Sequence, residues 1–268
     1  MTHSPRAFSH REECMGTFFA FAGRTNLPTE QLDAAIAAAC AELHWADRMF
    51  STYKQESPIA RLARGETSVA AEDPIVDEVW SECERWERET DGWFSAFTPD
   101  NTFDPSGLVK TWAAQRAIDR LQDAGIRDFT VNAGGDVWIG DNVTEPIDWR
   151  IAIHKPVSIA SADAGTLTVI DLRGTEFRAM ATSGSAERGS HIWNPKAGGK
   201  VPADSLLQVS VIARDLVTAD IWATAAFAEG PDCISRLERV KGVEALIVKL
   251  DGDLAATSGF IDLLAKGQ

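Results

Sequence analysis

Basic residues, cysteines and long apolar runs are all scarce in this chain of 268 residues. It carries 26 Lys and Arg residues against 40 Asp and Glu residues, which gives a formal net charge of -14 at pH 7. A chain of that sign is repelled by phosphate backbones and by anionic lipid surfaces. We therefore expect no nucleic-acid partner.

The four cysteines, Cys14, Cys40, Cys83 and Cys233, show no CxxC spacing. Three of them lie in apolar or helical patterns, which is typical of buried thiols in a reducing compartment. The first residues contain no apolar core of a signal peptide, and no apolar run is long enough to cross a bilayer. We expect a cytoplasmic location without membrane insertion.

What the chain does contain is the composition of a globular protein, with 44% hydrophobic and 25% charged residues. This composition excludes a disordered, collagen-like or small disulfide-bonded protein, and the length allows a substantial core. No repeat, low-complexity tract or linker stands out. We expect a flexible N-terminus over residues 1–14 and a single domain over residues 15–268.

The order of helical and strand patterns predicts the fold class. Apolar residues at helical spacing, with turn residues at the ends, predict a helix from residue 29, a second from residue 74 and others over residues 108–122, 217–228 and 234–240. Strand patterns occur at residues 15–21, at residues 129–140 around a glycine turn, and at residues 149–153, 177–181, 191–193 and 206–213. Because strands outnumber crossover helices in the second half, we predict an α+β fold with a mixed or antiparallel sheet and packed helices.

A glycine turn directly before a predicted helix places Lys110 in the first helical turn. Unpaired backbone N–H groups, the positive end of the helix dipole and a mobile cation together suit a phosphate or a diphosphate. An ordinary capped helix with a solvated lysine explains the same pattern.

Two further sites offer small residues at the ends of strands. Gly134 and Gly135 precede Asp136 in a turn that either closes a hairpin or lets a flat ligand approach the backbone, with Asp136 accepting a hydrogen bond. Ser183 and Gly184 end a predicted strand, seven residues before His191. These residues could face one cleft, with His191 as a general base or a phosphate contact.

Asp220 and Thr224 stand four residues apart in a predicted helix and therefore share one face. Two hard oxygen ligands on one face suit Mg²⁺, which completes its coordination with waters and substrate phosphates. Alternatively, Asp220 is favoured by the helix dipole and Thr224 bonds back to its own helix. The pattern alone leaves both interpretations open.

Taken in order, these segments resemble the ApbE family of flavin transferases, enzymes that move FMN from FAD onto a threonine of a target flavoprotein. The matching segments are MGT (15–17), STYKQESPIARL (51–62), TDGWF (90–94), SGLVK (106–110), NAGGDV (132–137), IAIHKP (151–156), ATSG (181–184), HIWNP (191–195) and TADIWATAAFAEG (218–230). Their shared order and spacing make the resemblance specific, and it implies an ApbE (T-fold-like) architecture.

The resemblance also implies roles for individual residues. Asp220 and Thr224 would be side-chain ligands of a catalytic Mg²⁺, joined by a backbone carbonyl that we place at Val109. His191 would assist deprotonation of the acceptor threonine, whose oxygen attacks the phosphorus on the FMN side of FAD while AMP leaves. The residues expected to line the FAD site are Met15, Tyr53, Lys110, Gly134, Gly135, Asp136, Ser183 and Gly184.

Three positions depart from the family pattern. Thr111 stands where the family usually has glycine, Ala186 where it has an aromatic residue, and Asn194 where it has aspartate. Two alternatives to a transferase therefore stay open: an FAD pyrophosphatase that yields FMN and AMP, and a flavin-binding protein without catalysis. Retention of Asp220, Thr224, Lys110 and His191 favours chemistry over binding alone.

Overall fold

The structure is a computed structural model that describes residues 5–140, 150–156, 165–184, 192–200 and 206–265. The chain divides into two compact units, and the expected single domain over residues 15–268 stays a prediction. The first unit comprises Met1–Arg85 and Ala96–Ile147, and the second comprises Trp86–Ser95 and Asp148–Gln268. Each unit combines helices with an antiparallel sheet, so the predicted α+β class is confirmed.

The first unit contains four antiparallel strands that neighbour one another in chain order. They are β1 (Arg6–Cys14), β2 (Thr17–Thr25), β3 (Asp128–Ala133) and β4 (Asp136–Ile139). Met15 and Gly16 join β1 to β2 and have φ angles of 54° and 67°. Two left-handed residues in a two-residue loop match the right-handed twist of the flanking strands, which is why such loops close tight hairpins.

Residues 6–14 form strand β1, although we had expected residues 1–14 to be flexible. Each of these nine residues is in register with a residue of β2, from the pair of Arg6 and Thr25 to the pair of Cys14 and Thr17. The sequence contained little sign of this strand, because polar side chains occupy positions that are apolar in most half-buried strands.

Four helices accompany this sheet. They are α1 (Thr29–Phe50), α2 (Pro58–Ala63), α3 (Pro74–Glu89), which ends in the second unit, and α4 (Ser106–Asp123). Helices α1 and α4 pack against each other, and Glu42 of α1 binds Arg116 at 2.9 Å and Arg120 at 2.8 Å on α4. The three longer helices were predicted. Helix α2 was not, because its six residues begin at a proline inside a polar segment.

The second unit contains the remaining strands and two helices. In chain order these elements are β5 (Arg150–His154), β6 (Thr166–Asp171), β7 (Ala179–Gly184), β8 (Trp193–Asn194), β9 (Gly199–Lys200), β10 (Gln208–Ala213), α5 (Leu216–Glu229), α6 (Cys233–Leu237), β11 (Val243–Val248) and β12 (Leu254–Ala256). Strands β7, β10, β11 and β12 are antiparallel neighbours in that order, while β5 pairs with β6 and β8 with β9.

Helix α5 lies on strands β7 and β10 and is buried along most of its length. Asp215 begins this helix, because its carboxylate accepts hydrogen bonds from the backbone N–H of Thr218 at 2.8 Å and from the Thr218 hydroxyl at 2.8 Å. An aspartate at this position satisfies donors that the first helical turn leaves unpaired. None of the helices in the described part of the chain is both long and apolar enough to cross a membrane.

Candidate active site

In the first unit, two turns predicted to contact FAD lie at the same end of the sheet. The Met15–Gly16 turn precedes β2, and the Gly134–Gly135 turn follows β3. Because β2 and β3 are antiparallel, the start of β2 lies beside the end of β3, and the Gly134 N–H donates to the Phe18 carbonyl at 2.9 Å. Three of the residues assigned by the resemblance, Met15, Gly134 and Gly135, therefore lie at one sheet end.

Lys110 and Asp136 form an ion pair at this end. The Lys110 ammonium donates to the Asp136 carboxylate, which directly follows the glycine turn. Asp136 is almost fully buried, and the Lys110 side chain is 19% exposed. The contact holds a cation from the second turn of α4 beside Asp136, the residue after Gly134 and Gly135. Its role in binding a diphosphate stays a prediction.

The start of α4 is ordered by Asp104. Its carboxylate accepts a hydrogen bond from the backbone N–H of Ser106 at 3.0 Å and another from the Ser106 hydroxyl. Val109 lies in the first turn of the helix with its side chain 5% exposed. A valine side chain has no polar atom, so Val109 could bind a metal ion only through its backbone carbonyl. That role, implied by the resemblance, stays a prediction.

Tyr53 lies in the segment after α1 and is 91% exposed. The Ser51 hydroxyl accepts from the Tyr53 backbone N–H at 3.2 Å, which orders this turn. Among the described contacts of the first unit, none places the Tyr53 ring against the Lys110 and Asp136 pair. Its role in binding FAD therefore stays a prediction.

In the second unit, helix α5 and strand β7 bring three assigned residues together. Asp220 and Thr224 lie four residues apart on α5, and the Thr224 hydroxyl is 3.4 Å from the Ser183 hydroxyl of β7. Asp220 and Ser183 are both 7% exposed. The arrangement joins a carboxylate and two hydroxyl groups, all hard oxygen donors of the kind that Mg²⁺ prefers.

Gly184 ends β7 where the neighbouring backbone comes close. A Cβ atom at this position would lie 3.1 Å from the Leu207 carbonyl oxygen, which is tighter than ordinary packing. The close approach of the Leu207 backbone explains why a glycine stands at this position. Contact of Gly184 with a ligand stays a prediction.

His191 and Ala186 lie outside the described residues, so the predicted base and the missing aromatic residue have no structural account. Asn194, which stands where the family usually has aspartate, lies within the described residues. Its amide N–H donates to the Ala228 carbonyl near the end of α5 at 3.1 Å, and its amide oxygen accepts from the backbone N–H of Lys196 and Ala197. An aspartate could not donate the first of these bonds.

The TDGWF segment contributes a charged surface to the second unit. Lys196 approaches the Asp91 carboxylate at 3.1 Å and lies 4.5 Å from the centre of the Trp93 ring. The Lys196 hydrogen bond lowers the pKa of Asp91, and Arg236, 3.4 Å from the same oxygen, acts in the same direction. The local sequence pattern does not indicate these contacts, because the partners of Asp91 lie over 100 residues away in the chain.

Comparison with known proteins identifies the family. The model of the ApbE family matches residues 95–247, which is more than half of the chain. The chain belongs to the ApbE family. The matched range includes Lys110, the second glycine turn, Ser183 and the α5 pair. It begins after Met15 and Tyr53, which therefore depend on the short N-terminal motifs alone.

Curated relatives in the ApbE family are named FAD:protein FMN transferase. The protein of Escherichia coli strain K12 is 28% identical over 163 residues, covering 58% of this chain and 44% of the relative. The protein of Rhodobacter capsulatus is 32% identical over 169 residues, covering 59% of this chain and 30% of the relative. This chain thus spans less than half the length of these two relatives.

Solved ApbE structures share the fold over nearly the full chain. The flavin transferase ApbE from Vibrio cholerae aligns with a TM-score of 0.80 at 21% identity, covering 97% of this chain and 100% of that chain. The ApbE protein from Thermotoga maritima aligns with the same TM-score at 20% identity and the same coverage. The expected ApbE architecture is confirmed.

Proposed function

We propose that this chain is a Mg²⁺-dependent FAD:protein FMN transferase, which moves FMN from FAD to a threonine of an acceptor flavoprotein and releases AMP. The observation that carries the proposal is the set of oxygen donors on α5 and β7, in a segment that matches the family. It consists of the buried Asp220 and Ser183 and the half-buried Thr224.

The side chains present fit Mg²⁺. Asp220 and Thr224 would hold the ion, and the Val109 carbonyl is proposed as a further oxygen ligand on the evidence of the resemblance. Bound there, Mg²⁺ neutralises negative charge on the diphosphate in the ground state and in the transition state. No nitrogen or sulfur atom belongs to the proposed ligand set, in agreement with the oxygen preference of Mg²⁺.

Residues of the first unit are proposed to orient the diphosphate. An ammonium group has three donors, so Lys110 can contact a phosphate oxygen while Asp136 accepts one of its hydrogen bonds. Asp136 acts as a positioning residue, because it holds the ammonium beside the glycine turn. Gly134 and Gly135, at φ angles of 64° and 108°, let a ligand approach a backbone without side chains.

Transfer then requires an activated acceptor. The hydroxyl of the acceptor threonine forms a bond to the phosphorus on the FMN side, the diphosphate P–O bond breaks, and AMP leaves with the bridging oxygen. The threonine proton passes to a base, for which we propose His191.

A cytoplasmic location is also proposed. In its support, all four cysteines are buried free thiols, which is typical of a reducing compartment.

The test incubates the purified chain with FAD and Mg²⁺, with and without a threonine-containing acceptor peptide. We expect AMP release and a mass increase of the peptide by one FMN moiety only when all components are present. Asp220→Ala should abolish both signals, while Asp253→Ala, which removes an exposed carboxylate of the same unit, should leave them unchanged. Circular dichroism checks that both variants fold.

Three results would overturn the proposal. AMP release without acceptor identifies an FAD pyrophosphatase, and a flavin-loaded protein without AMP release identifies a non-catalytic flavin-binding protein. Undiminished turnover of Asp220→Ala, or in the presence of excess chelator, contradicts the metal assignment.

A further inference from the structure

A second group of metal-ligating side chains lies in the first unit, between strand β1 and helix α1. Alternate residues of β1 share one face of the strand, and three of them are His10, Glu12 and Cys14. Cys40 and His44 stand four residues apart on α1, so they also share one face. The flavin-transfer proposal uses none of these residues.

Three ligand atoms of this group converge. The Nε2 atom of His10 lies 3.1 Å from a carboxylate oxygen of Glu12 and 3.3 Å from the Sγ atom of Cys40. All three atoms lie within 4.8 Å of one another. Ligand atoms bonded to a tetrahedral zinc ion at about 2.0 to 2.3 Å are separated by roughly 3.3 to 3.8 Å. The side chains therefore need only small movements to bind one ion.

Contacts from His44 hold the Glu12 carboxylate in place. His44 Nε2 lies 2.7 Å from the other carboxylate oxygen of Glu12, and His44 Nδ1 lies 3.5 Å from the Cys14 Sγ. Because an ionised carboxylate only accepts hydrogen bonds, Nε2 of His44 carries the proton and Nδ1 can accept from the Cys14 thiol. A hydrogen bond of this kind orients a ligating carboxylate toward its ion.

The surroundings also suit an ion. The His10 ring is stacked on Phe21 with an angle of 13° between the planes, which orients its ligand atom. Cys40 is buried, whereas the side chains of His10 and Glu12 are 34% and 24% exposed, so an ion can enter from solvent. Burial and the nearby Glu12 charge raise the pKa of Cys40 to about 12, so a bound cation must displace the thiol proton.

We propose that His10, Glu12 and Cys40 bind a divalent cation of the zinc class, with His44 as a positioning residue for Glu12 and a solvent molecule in the fourth position. The mixed nitrogen, oxygen and sulfur ligand set distinguishes this site from an oxygen-only Mg²⁺ site, because thiolate and imidazole select borderline and soft metals. The ion would link β1 to α1 across about thirty residues of chain.

The test uses the full chain, stripped of metal and of FAD, and Co²⁺ as a spectroscopic substitute for Zn²⁺. We expect one equivalent of Co²⁺ to produce the near-ultraviolet absorption of a thiolate-to-cobalt charge transfer, and one equivalent of Zn²⁺ to abolish it. Competition with a chromophoric chelator then gives the Zn²⁺ affinity. Bound Zn²⁺ should also raise the thermal unfolding midpoint, because it binds the folded chain.

Single substitutions distinguish the proposed metal ligands from residues that do not bind the ion. Cys40→Ala should eliminate the thiolate absorption, and His10→Ala and Glu12→Gln should weaken Zn²⁺ binding by more than His44→Ala, for which about a 10- to 100-fold loss is expected. Cys233→Ala is the matched control, because it removes a buried thiol from the second unit. It should leave the absorption and the affinity unchanged.

Variants that fail to fold are recognised by circular dichroism in the absence of metal, and Glu12→Gln serves as the nearly isosteric test. Absence of thiolate absorption in the wild-type chain would overturn the proposal. Persistence of that absorption in Cys40→Ala, or an unchanged Zn²⁺ affinity in Glu12→Gln, would overturn it equally. Because no flavin or acceptor takes part, these results are independent of the flavin-transfer assay.

Discussion

The Lys110 and Asp136 pair is a residue-scale feature expected to stabilise the fold, because both side chains are largely buried. Asp136→Asn removes the charge of a buried carboxylate that the mostly buried Lys110 ammonium contacts. We expect the free energy of unfolding to fall by about 3 kcal/mol, the range for breaking a buried ion pair. Urea unfolding measures this loss. In a double-mutant cycle with Lys110→Met, the two losses should add to clearly more than the loss in the double variant.

Met15 occupies a backbone conformation that suits other residues better. Its φ angle of 54° is left-handed, which is unfavourable for methionine by about 1 kcal/mol and tolerated by asparagine. We expect Met15→Asn to increase the free energy of unfolding by up to about 1 kcal/mol and to weaken FAD binding, since we propose that the methionine side chain lines the site. Thermal unfolding and flavin fluorescence titration measure the two effects. Unchanged FAD affinity would remove Met15 from the proposed site.

At the scale of elements, Asn194 connects the short β8 segment to helix α5. Asn194→Asp loses the bond donated to the Ala228 carbonyl and places a negative charge near the negative end of the helix dipole. We expect a loss of about 1 to 2 kcal/mol in the free energy of unfolding. Chemical denaturation of this variant beside Asp253→Asn, an exposed carboxylate change, provides the comparison. Equal stability of the two variants would contradict the role of the amide.

Elements with a strong periodic pattern were predictable from the sequence. Helix α4 and the β3–β4 hairpin follow apolar spacing and turn residues that act locally. Helix α5 is apolar on most sides and was predictable from its length and from the Gly230 that ends it. Strand β1 was not predictable, because its inward face carries His10, Glu12 and Cys14 in place of apolar residues. Strand β6 was also missed.

The candidate site was predictable only in part, for a related reason. The Asp220 and Thr224 pair follows from helical spacing within one element. The contact of Thr224 with Ser183 joins positions 41 residues apart, and the Lys110 contact with Asp136 joins positions 26 apart. Such contacts depend on how strands and helices pack, which local patterns do not determine. The group around Cys40 was missed because its two halves are 30 residues apart.

For the whole molecule, the lowered pKa values of carboxyl groups predict loss of stability in acid. Arg173 hydrogen bonds lower the pKa of Asp171 from 3.8 to about 2. Burial raises the pKa of Glu42, but hydrogen bonds from Arg120 and Arg116 outweigh it and the net pKa is lowered. Groups whose pKa is lower in the folded state stabilise it above their unfolded pKa and lose that contribution as the pH falls.

We therefore expect the free energy of unfolding to decrease from about pH 4.5 down to about pH 2. In Arg173→Gln the contribution of Asp171 is reduced, because the side-chain hydrogen bonds that lower its pKa most are lost. The stability difference from the wild-type chain should therefore shrink as the pH falls across this range. Urea denaturation at a series of pH values measures it, with Arg214→Gln, a change at an exposed arginine, as the control. A difference that stays constant with pH would contradict the assignment.

Strand β1 lies at the end of the strand order in the first unit. A rim strand of this kind is a template on which another polypeptide can add itself, and many proteins guard it with charge. Here Arg11 and Glu13 stand on the exposed face while His10 and Glu12 stand on the other. A strand of another chain that paired with β1 would have to remove water from charged groups on both faces. Glu12, which we propose as a metal ligand, therefore also disfavours the assembly of this chain into fibres.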